Sequence, residues 1–128
     1  RDRPVVLLDW QTASVGAPAW DLALLVFDSL GVEARRTAED ELFDRYVTQL
    51  RCHGVRGYTV AQLRRDCELA LLFWLAGTVG GLTTLDENAL TERERALRRA
   101  IIDERRLEAA LIDHDAETVL AEIGPTTS

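Results

Sequence analysis

Pro4-Val5-Val6-Leu7-Leu8-Asp9-Trp10, then Gln11 to Pro18, then Ala19-Trp20-Asp21-Leu22-Ala23, is the stretch on which the reading of this chain turns. The first seven residues are a continuous apolar run, rich in Val and Leu, that contains an acid near its end. This pattern predicts a strand over 4–10, buried on both faces. Ser14, Gly16 and Pro18 mark a loop. A helix is predicted from Ala19 or Trp20, with Asp21 in its first turn, where a carboxylate meets the positive end of the helix dipole. It passes through Leu22, Leu25, Val26 and Leu30 and is expected to stop at Gly31. A strand buried on both faces needs partners for its backbone N–H and C=O groups, and the remaining sequence offers no second strand. Unpaired groups cost about 1–3 kcal/mol each, so the pairing strand is expected upstream of Arg1.

Downstream, the pattern is helical. Thr37-Ala38-Glu39-Asp40 reads as a capping-box variant that opens a second helix, with Leu42, Phe43, Tyr46, Val47 and Leu50 at helical spacing and His53-Gly54 closing it. Thr59-Val60-Ala61-Gln62 is a second capping box and opens a third helix. Its middle, Leu69 to Ala76, is apolar all round, which predicts a core helix enclosed by the others. Thr91-Glu92-Arg93-Glu94 opens a charged fourth helix with a stripe of Leu97, Ala100, Ile101, Leu107 and Leu111. A short last helix spans roughly Ala116 to Ile123 and ends at Gly124-Pro125. The expected fold class is therefore mainly α: one N-terminal strand over 4–10 and helices from about 19 to 123, in one unit covering 1–128.

Composition narrows the classes of function. The 128 residues are 47% hydrophobic, which is enough for a core and excludes a disordered tail. The 15 basic residues are all Arg, and they face 22 acids for a net charge of −7, so a phosphate backbone is repelled and nucleic acid is not an expected partner. Cys52 and Cys67 are too few for a disulfide framework. No secretory leader is visible, and the longest apolar stretch, Leu69 to Leu82, is too short and too interrupted by glycine to span a bilayer. A cytoplasmic protein without membrane partners is expected. The chain contains no Met and starts at Arg1, which reads as part of a longer polypeptide.

The chemistry centres on Asp9. A carboxylate at the end of a buried strand is held rigidly and can face a cleft, which suits a hard cation carrying phosphate ligands. The plain alternative is a strand-terminal Asp capping the following turn. Asp9-Trp10-Gln11, followed by Gly16-Ala17-Pro18-Ala19-Trp20-Asp21-Leu22-Ala23, resembles the aminoglycoside phosphotransferase and choline/ecdysteroid-type kinase families, which share the protein-kinase-like fold. In those families a strand ends in Asp and an aromatic residue, and a Gly-x-Pro-x-x-Asp-Leu-Ala segment follows. The later helices are similar to the families' helical C-terminal lobe, so the resemblance extends over essentially the whole chain.

The resemblance implies that Asp9 binds the Mg²⁺ that bridges the phosphates of ATP, in a reaction where positioning and charge neutralisation supply most of the catalysis. It implies that Asp21 is a structural acid bracing the backbone of the catalytic loop; helix-dipole stabilisation accounts for Asp21 equally well. The pattern also departs from the families. A kinase of this type needs a nucleotide loop, a phosphate-binding Lys and a His-x-Asp-x-x-x-x-Asn catalytic loop. The chain has no Lys, and neither His53 nor His114 has that spacing. No catalytic base is therefore assigned, and the nucleotide-binding N-terminal lobe is a missing partner. The resulting expectation is the C-terminal part of an ATP-dependent phosphotransferase that acts on a hydroxyl-bearing small molecule, with the acidic charge favouring a cationic acceptor. The alternative is a stand-alone, non-catalytic helical binding or regulatory module derived from a kinase C-lobe. An unrelated helical domain with a fortuitous Asp-Trp pair is a third possibility.

Other constellations read as structural. Cys52-His53 with Cys67 has the wrong spacing for zinc. Cys67 is expected in the core, and His53 at a helix C-terminus. Glu104 and Glu108, four apart, have the spacing to share a proton or a metal, but the expected outcome is pairing with arginines of a neighbouring helix. Arg35-Arg36, Arg64-Arg65, Arg98-Arg99 and Arg105-Arg106 read as solvated helix faces. Trp20 and Trp74 read as core anchors.

Overall fold

The structure is a computed structural model that describes residues 15–84, 90–96 and 105–123. All regular structure among these residues is helical, as the mainly α reading requires. The expected strand over 4–10 and the end at Gly124-Pro125 lie outside the described residues. We number the helices α1 (Ala19–Ala23), α2 (Val32–Cys52), α3 (Val60–Thr84), α4 (92–96), α5 (Arg106–Asp113) and α6 (Ala116–Ile123). No helix among the described residues is long and apolar enough to cross a membrane.

α1 starts where expected, with the Trp20 N–H donating to the Ala17 carbonyl at 3.0 Å. It then widens into a π-helical segment, Leu24–Ser29. Such widening changes which residues share a face, and here Val26 and Phe27 are both buried. Gly31 does not end this helix. Leu30 is already extended, and Gly31, also extended, caps the start of α2.

α2 begins five residues before the Thr37 box. The Thr37 hydroxyl donates to the Glu33 carbonyl one turn back at 2.8 Å, which is the habit of a mid-helix threonine. The other two boxes form. Thr59 Oγ1 accepts from the Gln62 N–H at 3.2 Å, and Gln62 Oε1 accepts from the Thr59 N–H at 2.9 Å. Thr91 and Glu94 reciprocate in the same way ahead of α4. The C-terminus of α2 is a Schellman turn. Gly54 takes φ +89°, its N–H donates to the Arg51 carbonyl, and the Val55 N–H reaches back to Leu50.

The core lies where α1 and the π-segment cross α3, and α2 and α5 close it. Val26, Phe43, Val47, Leu63, Cys67, Leu71 and Ala110 are buried there. Two expectations about the core fail. Leu69 to Ala76 is enclosed on one side alone: Ala70 and Leu71 are buried, while Phe73 is 60% exposed and Trp74 41%. Trp20, expected as a core anchor, is 43% exposed and stacks on Phe73 with ring centroids 4.4 Å apart. The physical reason is that α1 and the π-segment bury Ala70 and Leu71 but only flank Phe73 and Trp74, through Trp20 and Leu24, and no further described element closes over these rings. The fourth helix is also not continuous as expected. Arg105 adopts a left-handed φ of 49°, so α5 starts afresh after it.

Candidate functional site

Asp9, the expected metal ligand, lies outside the described residues. Among the described residues no group of three or more His, Cys, Asp and Glu side chains could hold a metal ion. Cys52, exposed, and Cys67, buried, are both free cysteines. Burial pushes the Cys67 thiol up to about 12, and its S–H donates to the Ala19 carbonyl at 3.6 Å, tying α3 to the first turn of α1. This is the core role expected of Cys67. The His53 ring nitrogen meets the Gln49 carbonyl at 2.8 Å, at the end of α2 as expected.

Asp21 sits in the first turn of α1, exposed, and its carboxylate makes no hydrogen bond or ion pair with another described residue. Its charge is felt at Tyr46: burial first, then Cys67 and Asp21, raise the tyrosine hydroxyl above its ordinary value. The Gly16–Pro18 approach to α1 borders a cleft of roughly 450 Å³ that the α2–α3 loop completes. Its lining is Pro18, Tyr46, Leu50, Val55, Arg56, Gly57, Tyr58 and Asp66. The Tyr58 hydroxyl donates to Asp66 Oδ2 at 2.5 Å, and burial together with that carboxylate raises the Tyr58 pKa strongly.

On the other side of the fold, charged residues that read as solvated are drawn inward. Arg35 is 2% exposed. It donates to Glu39 Oε2 at 2.9 Å and to Asp113, which also pairs with Arg36. Arg64 donates to Glu39 Oε1 at 2.9 Å and to Asp40 at 2.6 Å. The His114 Nε2–H donates to Glu39 Oε2 at 3.1 Å, its Nδ1 lies 3.7 Å from Glu68, and the ring meets Phe27 edge-on. Burial alone would raise the Glu39 pKa, but His114 and Arg35 outweigh it and hold the carboxyl below its ordinary range. Arg36 and Arg35 hold Asp113 at about 2 against its burial. A charge taken out of water must find a partner, and these do so across α2, α3 and α5. The pattern i, i+4 for Arg35 and Glu39 was visible in the sequence; the partners 75 or more residues away were not. Of the expected acidic pair, Glu108 lies 3.7 Å from Arg105 at the start of its own helix rather than from an arginine of a neighbouring one, and Glu104 lies outside the described residues.

Compared with known proteins, residues 3–55 match the model of the ecdysteroid kinase-like family. The match takes in Asp9-Trp10-Gln11, the Gly16–Ala23 segment, α1 and α2, and it stops at Val55, so α3 to α6 stand outside it. It is narrower than the resemblance drawn from the motifs. No curated protein and no solved structure matches the chain.

Proposed function

We propose that this chain is the C-terminal part of an ATP-dependent small-molecule phosphotransferase. The observation that carries the reading is the coincidence of the kinase-like family match over 3–55 with the motif pair Asp9-Trp10-Gln11 and Gly16–Ala23. In this reading the Asp9 carboxylate holds Mg²⁺, whose charge neutralises the phosphates of ATP. Asp21 supports the site from the first turn of α1, and the acceptor is a small hydroxyl-bearing molecule, with the net charge of −7 favouring a cationic one. The catalytic base and the nucleotide-binding lobe come from polypeptide outside these 128 residues. The cytoplasm, which supplies ATP and keeps thiols such as Cys52 and Cys67 reduced, suits this activity.

The 128-residue chain alone is expected to transfer no phosphate from ATP. Joined to the polypeptide encoded upstream, it is expected to do so, and Asp9→Asn should lower the rate at least a hundredfold. Turnover by the 128-residue chain alone would overturn the reading, as would an Asp9→Asn variant as active as the parent. A second reading, a non-catalytic helical module, draws on the ion network joining α2, α3 and α5, in which Arg35, Arg64 and Glu39 find partners among the described residues. It predicts a soluble chain with one cooperative melt, where the lobe reading predicts poor solubility.

A further inference from the structure

Two loop features build the cleft beside the start of α1. The Schellman turn at Gly54 sends the chain back so that Val55 and Leu50, which it brings together, both form its wall. Gly57 then takes a second positive φ, +82°, which L side chains rarely adopt, and Tyr58 is anchored to Asp66 on α3. Arg56 is thus carried between two turns that glycine alone adopts without strain. The cleft has the size of a small-molecule site, a mostly apolar and aromatic wall, and a few polar groups.

The polar groups are unequally satisfied. Asp66, the one acidic side chain in the lining, already accepts from Tyr58. The donors are not matched: among the described residues neither the Arg56 guanidinium nor the Tyr46 hydroxyl has a hydrogen-bond or ion-pair partner. Arg35, Arg36, Arg64 and Arg65 are paired with carboxylates. What sets Arg56 apart from other surface arginines unpaired among the described residues, such as Arg45 and Arg51, is its place in the cleft wall. An apolar wall with spare donors is complementary to a ligand that brings an apolar body and an acceptor group. A guanidinium favours a carboxylate or phosphate, which it can bind through two parallel N–H donors. We infer that this cleft binds a small molecule with an apolar body and one anionic group, with Arg56 pairing the anion. The inference does not depend on phosphoryl transfer.

The test is a ¹H–¹⁵N NMR titration with four probes of one shape, phenyl phosphate, benzoate, benzyl alcohol and benzylamine, run on the 128-residue chain or, where that chain is insoluble alone, on the chain joined to the polypeptide encoded upstream. The two anions are expected to shift the amides of residues 54–58 saturably, in roughly the millimolar range typical of so few ligand atoms. Benzyl alcohol should bind at least tenfold more weakly. Whichever anion binds more tightly names the source as a phosphate ester or a carboxylic acid. Arg56→Gln, at an exposed loop position, should weaken both anions about tenfold and leave the alcohol unchanged. Tyr46→Phe should weaken the anions by less. Equal binding of anions and alcohol, a preference for benzylamine, or anion binding untouched by Arg56→Gln would overturn the inference.

Discussion

The two halves of α3 present opposite solutions to one problem. In the half around Leu63 to Leu71, the buried side chains are surrounded, and the charges beside them are matched: Arg64 by Glu39 and Asp40, Arg65 by Glu68 and Glu122. In the half beyond it, Phe73, Trp74 and Val79 stand in solvent, with Trp20 and Leu24 of the α1 side beside them. Apolar patches of this kind mark surfaces that other matter covers. The charged side is complete in itself, and the aromatic side is not. The difference teaches that polar residues can close a small fold while its most hydrophobic segment stays open.

Breaking the charged side should have the largest effect. Glu39→Ala removes the acceptor shared by Arg35, Arg64 and His114 and leaves the Arg35 guanidinium, 2% exposed, with Asp113 as its remaining partner. A loss of about 3–5 kcal/mol is expected in urea unfolding; a loss below about 1 would mean the network does not hold the helices together. Replacing the pair together, Arg35→Met with Glu39→Leu, should recover much of that loss. Removing the Thr59 cap with Thr59→Ala should cost about 1 kcal/mol, read in the same melts. Acid sharpens the comparison further. The Asp113 carboxyl is depressed from 3.8 to about 2 in the fold, so its stabilising share is complete above about pH 4 and disappears as pH falls to about 2. Its solvent contact screens the pairing, so on the order of 1 kcal/mol is expected, and Asp113→Asn should flatten that part of the pH profile. Phe73→Ser, on the open side, should change stability by less than about 0.5 kcal/mol. It should nevertheless reduce binding of a hydrophobic dye, and a large destabilisation would show that Phe73 belongs to the core.

Local signals in the sequence reported local structure well. Thr59-x-x-Gln62 and Thr91-x-x-Glu94 fold as reciprocal caps because both partners lie within one turn. Gly54 ends α2, and α6 spans the expected Ala116–Ile123. Thr37-x-x-Asp40 looked the same and is mid-helix, because α2 starts upstream at Val32 and the backbone donors a cap would satisfy are already used. The period of Leu69 to Ala76 could say that the segment is apolar all round but not how many neighbours would cover it. The inward turn of Arg35 and His114 depends on helices meeting across long stretches of chain, which no local pattern encodes. Of the site, the motif pair was legible and the family match over 3–55 includes it; the cleft at Arg56 was not, because it exists only where the α2–α3 loop meets the start of α1.

The coding DNA upstream of the Arg1 codon decides between a kinase lobe and a lone helical module. A kinase lobe requires an in-frame His-x-Asp-x-x-x-x-Asn shortly before the Arg1 codon, with a Lys-bearing sheet domain further back. A stop codon, or a start codon immediately before Arg1, would contradict it and leave a helical module made on its own.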